Sequence, residues 1–535
     1  MTAQDVEDAK KQYCEREPRE SFFAYGRCLA HFAVDPNLVY VTTQVNREKT
    51  RFLPFNRGRD GGAGNPPVSP TRSGYPTSYL WENAWARDSV LELVRQFIQE
   101  IEVVDDRGRK TGERFILFPR YQQLDCVRAL VSDARSRGTG QKYLIQHSAG
   151  SGKSYTIAWL AHRLSILHGL DDRRVFDSIV VVTDRRQLDR QLQATVRQLE
   201  QTLGTVENID HTSRQLKAAL EDGKTIIVTT LQKFPVISKE IGELPGKRFA
   251  LIIDEAHSSQ SGESTKSLKE VLATGSLEAA EAEESAERSV EEEANDRALE
   301  SAAKRVSSPN ISTFAFTATP KSKTFELFGT KQPDGSYKPF HLYSMRQAIE
   351  EGFILDVLEG YTTYTAYWKL LKTIETDPRY DKKKAEYLLK AFVDLSEHAI
   401  SEKIRVIVEH FAARVKDEIG GKAKAMIVTR SRLHAVRYKR LIDKYLEKSG
   451  YPFKALVAFS GKVEDGGKDY TEAGMNGFPE AQTAKTFEGP GYRFLIVANK
   501  FQTGFDQPLL YAMYVDKKLG GVGAVQTLSR LNRTC

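Results

Sequence analysis

The run from His147 to Leu164, HSAGSGKSYTIAWLAHRL, has the residue types and spacing to hold a phosphate group. Gly150 and Gly152 let the backbone curl until its N–H groups converge on anionic oxygens, and the positive end of the following helix assists. Lys153 then neutralises the β and γ phosphates of a nucleoside triphosphate, and Ser154 ligates Mg²⁺. His147 stands where the first glycine of the long loop pattern belongs. The shorter A-x-x-G-K-S form is met by Ala149, Gly152, Lys153 and Ser154, with Gly150 and Ser151 inside the loop. Downstream, FALIIDEAHSS is an apolar run ending in Asp254 and Glu255. Carboxylates at the C-terminal end of a parallel strand face the crevice where α/β sheets bind ligands. Asp254 is suited to Mg²⁺, Glu255 to polarising the attacking water, and His257 to reporting the state of the γ-phosphate. Near the end of the chain, AVQTLSRLNRT puts Gln526, Arg530 and Arg533 at i, i+4 and i+7, one face of a helix from which donors can reach a γ-phosphate.

Elements able to position these groups are legible as alternating apolar runs. Between residues 113 and 320 the strand-like runs YLIQ, IVVVT, TIIVTT, FALIID and FAFTAT alternate with helical stretches, which predicts a parallel sheet covered on both faces. A second set, KAMIVT, ALVAFS, FLIVAN and YAMYVD, begins near Ala423. Residues 1–52 read as a helix, DVEDAKKQYCER, followed by the short strands CLAHFAV and LVYVTTQV. Residues 55–80 are rich in Gly, Pro, Ser and Asn, a linker or long loop, and ENAWARDSVLELVRQFIQEI then carries helical spacing. The stretch 360–420 reads as a helical insertion or appendage.

The chain has 535 residues, too many for one core, with 40% hydrophobic and 28% charged residues and no apolar run near the roughly 20 residues that span a bilayer. It lacks a signal-peptide pattern, which predicts a cytoplasmic location. Cys14, Cys28, Cys126 and Cys535 have neither metal-ligand nor disulfide spacing and read as reduced thiols. Net charge is +7, but residues 278–300 hold ten acidic and two basic side chains, so the remainder sums to 7 − (−8) = +15. That acidic stretch predicts a surface insertion, and a basic body suits a polyanionic partner.

In order, A-x-x-G-K-S, D-E-A-H, T-A-T-P (Thr317 to Pro320) and Q-x-x-x-R-x-x-R resemble the motifs of superfamily 2 helicases and translocases. The longer segments DRRQLDRQL, DEAHSSQSG, YSMRQAIEEGFILDVL, FQTGFDQPLLYAMYVDKKLGGVGAVQTLSRLNRT and GRDGGAGNPP are similar to the motor (R) subunit of type I restriction endonucleases. This resemblance implies two RecA-like parallel-sheet domains in tandem, 101–345 and 346–535, preceded by a partial α/β nuclease-domain remnant over 1–54 and a linker and helix over 55–100. It implies an ATP-driven translocase on double-stranded DNA, working with methylase and specificity subunits. It makes Gln123, in FPRYQQLDCVRAL, the adenine partner and gives Gly504 and Asp506 nucleotide contacts. Thr183 and Arg185, Thr229 and Thr230, Thr429 and Arg430, and Thr503 become contacts to the nucleic-acid backbone. The family's nuclease carboxylates and lysine lie upstream of the stretch that Met1 immediately precedes, and its docking domain follows the arginine helix; the resemblance therefore implies a truncated chain that leaves DNA uncut. Asp5, Glu7 and Asp8 read as acidic residues of a helix start rather than as substitutes. The alternatives are a DEAH-type RNA or DNA helicase and a DNA-binding but idle fragment.

Overall fold

The computed structural model describes residues 5–68, 74–104, 110–183, 186–200, 205–208, 219, 224–230, 246–256, 309–354, 356, 397–501, 505, 507, 508–517, 519 and 521–531. They form two compact units, divided between residues 353 and 354. The acidic stretch 278–300 lies outside the described residues.

In the first unit, helix α1 (Val6–Cys14) opens on Asp5, whose side chain accepts from the N–H groups of Glu7 and Asp8 while Asp8 reaches back to the N–H of Asp5. Glu7 pairs with Lys10. All three carboxylates are thus occupied at a helix start, as their position in the sequence suggests. A small antiparallel sheet follows, β1 (His31–Val34), β2 (Val39–Thr42) and β3 (Leu53–Pro54). Its Val39, Val41 and Phe55 are buried in the same core as the large sheet below, so the N-terminal segment is packed into the first unit. The Gly-rich stretch after it is held in place. The Asn65 amide donates to the Asn37 carbonyl and to Asn56 Oδ1, and the N–H of Ala63 donates to Glu350 Oε2. Helix α2 spans Arg87–Gln96, but the helical spacing that continues through FIQEI is misleading. Gln99–Val104 is instead strand β4, paired antiparallel with β5 (Lys110–Leu117).

After α3 (Tyr121–Arg137) comes the main sheet. Its strands are β6 (Lys142–His147), β7 (Ser178–Thr183), β8 (Val206–Asn208), β9 (Ile226–Thr230), β10 (Phe249–Ile253) and β11 (Ile311–Thr317), with α4 (Lys153–Ser165) after β6 and α5 (Arg186–Gln198) after β7. A small antiparallel pair, β12 (Thr330–Lys331) and β13 (Tyr337–Lys338), precedes β14 (His341–Tyr343), and the seven strands of the main sheet run β14-β6-β11-β10-β7-β9-β8, all parallel. Every residue of β7, β10 and β11 is buried, which explains their unbroken apolar character: a strand covered on both faces has no polar side. Because β6 and β10 both flank β11, the loops at their C-terminal ends emerge at one edge of the sheet.

The second unit is built on a four-stranded parallel sheet, β16-β19-β15-β20, from β15 (Lys424–Thr429), β16 (Lys454–Ala458), β19 (Tyr492–Val497) and β20 (Leu510–Asp516), with a hairpin of β17 (Lys462–Asp465) and β18 (Lys468–Thr471). The helix Glu397–His410 falls inside the expected insertion 360–420, yet Ile400, Ile404, Ile407 and Val408 on it are buried with Tyr438, Ile442 and Phe494. That helix is a layer of the second unit's core. Residues 357–396 lie outside the described ones. The α/β class and the large parallel sheet are as expected; among the described residues, no helix is long and apolar enough to cross a membrane.

Candidate nucleotide site

The loop between β6 and α4 requires glycine at two points. Gly150 has φ 75° and Gly152 has φ 77°, the left-handed region that costs a side-chain-bearing residue about 1 kcal/mol or more. At Gly152 space is also excluded, since a Cβ would lie 2.7 Å from Gln123 Nε2 and 2.9 Å from Arg120 Nη2. Gly152 caps α4, so the first N–H groups of that helix open toward the loop. Ser151 is fully buried within it.

Lys153 Nζ lies 3.4 Å from Glu255 Oε1. The N–H of Glu255 donates to Asp254 Oδ1, the N–H of Asp254 to the Val182 carbonyl and that of Ala256 to the Phe316 carbonyl. The carboxylate pair is therefore strapped between β7 and β11. Glu255 itself has φ 53°, a left-handed conformation that turns the chain sharply off the strand end. Thr317, first residue of the T-A-T-P segment, is buried and its Oγ1 accepts from the N–H of Thr319. One hydroxyl (Ser154), one carboxylate (Asp254), one lysine and a two-glycine loop form a donor set that fits a triphosphate and a hard divalent cation.

Gln123 is buried, and its amide holds the loop: Nε2 donates to the Gly152 carbonyl at 3.1 Å and Oε1 accepts from the N–H of Arg120. Arg120 is a residue that the motif reading passed over. Its guanidinium donates to the Ser151 carbonyl and lies 3.8 Å from the Phe353 ring centroid. Burial pulls its pKa down to about 10, and its Nη1 has no hydrogen-bond partner among the described residues. Close by, burial raises the pKa of Glu351, which accepts from Tyr343 Oη and Gln347 Nε2. The only hint in sequence was the arginine immediately before the glutamine segment.

His147 departs from the glycine of the long loop pattern because it belongs to the strand. It is fully buried at the end of β6, with Nε2 2.8 Å from His341 Nδ1. Burial, followed by the neighbouring positive charges, holds its pKa well below the usual histidine range.

Other expected contacts fare differently. Thr183, Thr229 and Thr429 are buried, and Thr429 Oγ1 donates to the carbonyls of Val497 and Ser431. Thr429 thus satisfies backbone carbonyls at its strand end, whereas Thr229 Oγ1 has no hydrogen-bond partner among the described residues. Arg430 donates to the Asp516 carbonyl and pairs with its carboxylate at 3.8 Å, a site that Lys403 and Tyr438 share. The helix expected to align Gln526, Arg530 and Arg533 ends at Leu528, and tighter turns continue to Leu531. Arg530 therefore leaves the helical face and donates to the Phe505 carbonyl. His257, Arg185, Thr503, Gly504, Asp506 and Arg533 lie outside the described residues, as do the side chains of Thr230 and Gln526.

Comparisons with known proteins bear on this geometry. Residues 122–279 match the SWI2/SNF2 ATPase family, and residues 481–535 match domain 3 of the type I restriction enzyme R subunit. The chain is 26% identical over 470 residues to the type I restriction enzyme HindI endonuclease subunit of Haemophilus influenzae, covering 83% of this chain and 40% of that one. It is 25% identical over 410 residues to the putative type I restriction enzyme MjaIXP endonuclease subunit of Methanocaldococcus jannaschii, covering 73% and 34%. The chain thus spans less than half the length of these relatives. A solved fragment of a putative HsdR subunit of a type I restriction enzyme from Vibrio vulnificus superposes with a TM-score of 0.46 at 15% identity, covering 100% of this chain and 91% of that one.

Proposed function

We propose that this chain is the ATP-driven motor of a type I restriction–modification assembly, translocating double-stranded DNA. The observation that carries the reading is the contact of Lys153 with Glu255 at the C-terminal edge of the main sheet. In the resting state each charge occupies the other. An arriving triphosphate is wrapped by the backbone N–H groups around Gly150 to Ser154, and Lys153 moves from Glu255 to the β and γ oxygens. Glu255, released, orients water for in-line attack and accepts its proton. Ser154 and Asp254 would hold Mg²⁺, which supplies charge neutralisation on the phosphate oxygens when bound. Gln123 and Arg120 hold the loop carbonyls, keeping its N–H groups facing inward, and Gln123 recognises adenine. Gln526, Arg530 and Arg533 stabilise the charge that develops on the γ-phosphate. Methylase and specificity subunits are the proposed partners, and a body of net charge +15 outside residues 278–300 favours DNA.

The test is ATP turnover by the purified chain with duplex DNA, single-stranded DNA or RNA, alongside displacement of a labelled strand. Stimulation by duplex without strand separation is expected. Preferential stimulation by RNA or single strands, or strand release, would indicate a helicase. A folded chain that binds DNA without hydrolysing ATP would be an idle fragment.

A further inference from the structure

Beside the nucleotide loop, three elements of the first unit bring together donors that the ATPase reaction does not use. Cys126 on α3, His147 at the end of β6 and His341 at the start of β14 each offer one ligand atom, and these atoms lie within 4.8 Å of one another. Cys126 and His147 are fully buried, and the His341 side chain is 12% exposed. The spacing along the chain, 126, 147 and 341, hides the cluster from any sequence pattern.

We infer that Cys126, His147 and His341 form a site for a borderline-soft divalent cation, of which Zn²⁺ is the best fit. A thiolate with two imidazoles suits Zn²⁺, whereas Mg²⁺ prefers oxygen. Two features point to a ligand. His147 Nε2 and His341 Nδ1 face each other across 2.8 Å beside the Cys126 thiol, so two imidazole nitrogens and a sulfur converge on one point. His341 Nε2 lies 3.3 Å from Asp125 Oδ2, which turns Nδ1 toward His147 and provides the outer carboxylate that orients metal-bound histidines.

For the two nitrogens the adjustment is small. His147 Nε2 and His341 Nδ1 are 2.8 Å apart, and two nitrogens on a tetrahedral Zn²⁺ with bonds of about 2.0–2.1 Å sit roughly 3.3 Å apart. Binding displaces the Cys126 thiol proton to solvent, and the thiolate with the Asp125 carboxylate then balances the two positive charges. Water completes the coordination from the side of His341 and Asp125, where the cluster meets the surface: the Asp125 side chain is 52% exposed. The ion would clamp the strand that leads into the nucleotide loop, because the N–H of Ser148 already donates to the Tyr343 carbonyl of β14.

The test is titration of the chelator-stripped full chain with Co²⁺, followed by Zn²⁺ competition. Wild type should show a thiolate-to-Co²⁺ charge-transfer band and intense tetrahedral d–d bands that saturate at one ion per chain, vanish on adding Zn²⁺ and persist in excess Mg²⁺. Cys126→Ser should lose the charge-transfer band, and Asp125→Asn, at a partly exposed position, should weaken binding about 10–100-fold. Zn²⁺ should also raise the thermal midpoint of wild type but not of His341→Ala. Absence of the band in folded wild type, or its survival in Cys126→Ser, would overturn the site. If Cys126→Ser does not fold, unchanged affinity in Asp125→Asn would overturn it equally. None of these readouts depends on ATP turnover.

Discussion

Lys153 and Glu255 are the first residues a triphosphate must separate, since the ammonium that would hold the phosphates is 3.4 Å from the carboxylate that would direct water. Their different tasks give different mutational signatures. Lys153→Ala removes the charge that neutralises the β and γ oxygens, and turnover should fall by roughly 10²-fold or more, as for loss of one preorganised charge-stabilising donor. A coupled-enzyme assay on protein with unchanged circular dichroism measures this, and near wild-type turnover would remove Lys153 from the site. Glu255→Gln keeps the shape and the hydrogen-bonding reach but not the base. ATP and Mg²⁺ should bind as in wild type while kcat drops about 10²–10⁴-fold. Disappearance of fluorescent-nucleotide binding in this variant would show that Glu255 holds the nucleotide rather than the water. Both residues stood out in the sequence, because a glycine-lysine loop and an acidic pair after an apolar run have few other uses. Arg120 did not, since an arginine becomes a loop clamp only through its burial beneath Ser151 and against Phe353, which no local pattern encodes.

At the scale of elements, all nine long apolar runs are strands; burial on both faces accounts for the unbroken apolar runs of β7, β10, β11 and β15, whereas Leu510–Asp516 is an edge strand with Tyr511 and Val515 exposed. Shorter pieces escaped. Val206–Asn208 and His341–Tyr343 are edge strands of three residues, too short for any period to show. The FIQEI segment fits a helical period as well as a strand period, and its pairing with Lys110–Leu117 decides the matter. The second unit supplies a test of its own. Lys424 opens β15 with its ammonium buried, donating to the carbonyls of Gly489 and Tyr492 at 2.8 and 2.7 Å. Burial, with Arg493 adding to it, lowers its pKa from 10.5 to about 8. The folded state thus sheds this proton more readily than the unfolded state, so between about pH 8 and 10.5 the unfolded chain binds more protons and stability must rise with pH. Below about pH 8 both states are charged and the contribution is flat. The stability of wild type minus that of Lys424→Met, from denaturant midpoints, should climb across this window. A difference independent of pH would mean that Lys424 titrates normally in the fold.

For the whole molecule the decisive quantity is how charge is shared out. Residues 278–300 carry −8, so their removal takes the chain from +7 to +15. Ten acids and two bases among alanines are not the composition of a core, and in sequence they fall between β10 and β11. Deleting it should leave DNA-independent ATP turnover within about twofold of wild type, since the groups around Lys153 and Glu255 come from the strands on either side. The effect on DNA should be the opposite of a loss. With the acidic stretch gone, repulsion of phosphates falls, and duplex DNA should bind more tightly at low salt. Because both the repulsion and the counterion release act through long-range charge, the gain should shrink as ionic strength passes about 0.15 M, where screening acts over about 8 Å. Fluorescence anisotropy of a labelled duplex across a salt series, run beside the ATPase assay, separates the two effects. Loss of basal turnover in a folded deletion variant would show that these residues support the nucleotide site, and an affinity gain that persists undiminished at high salt would show that they block a DNA-binding surface by direct contact rather than by charge.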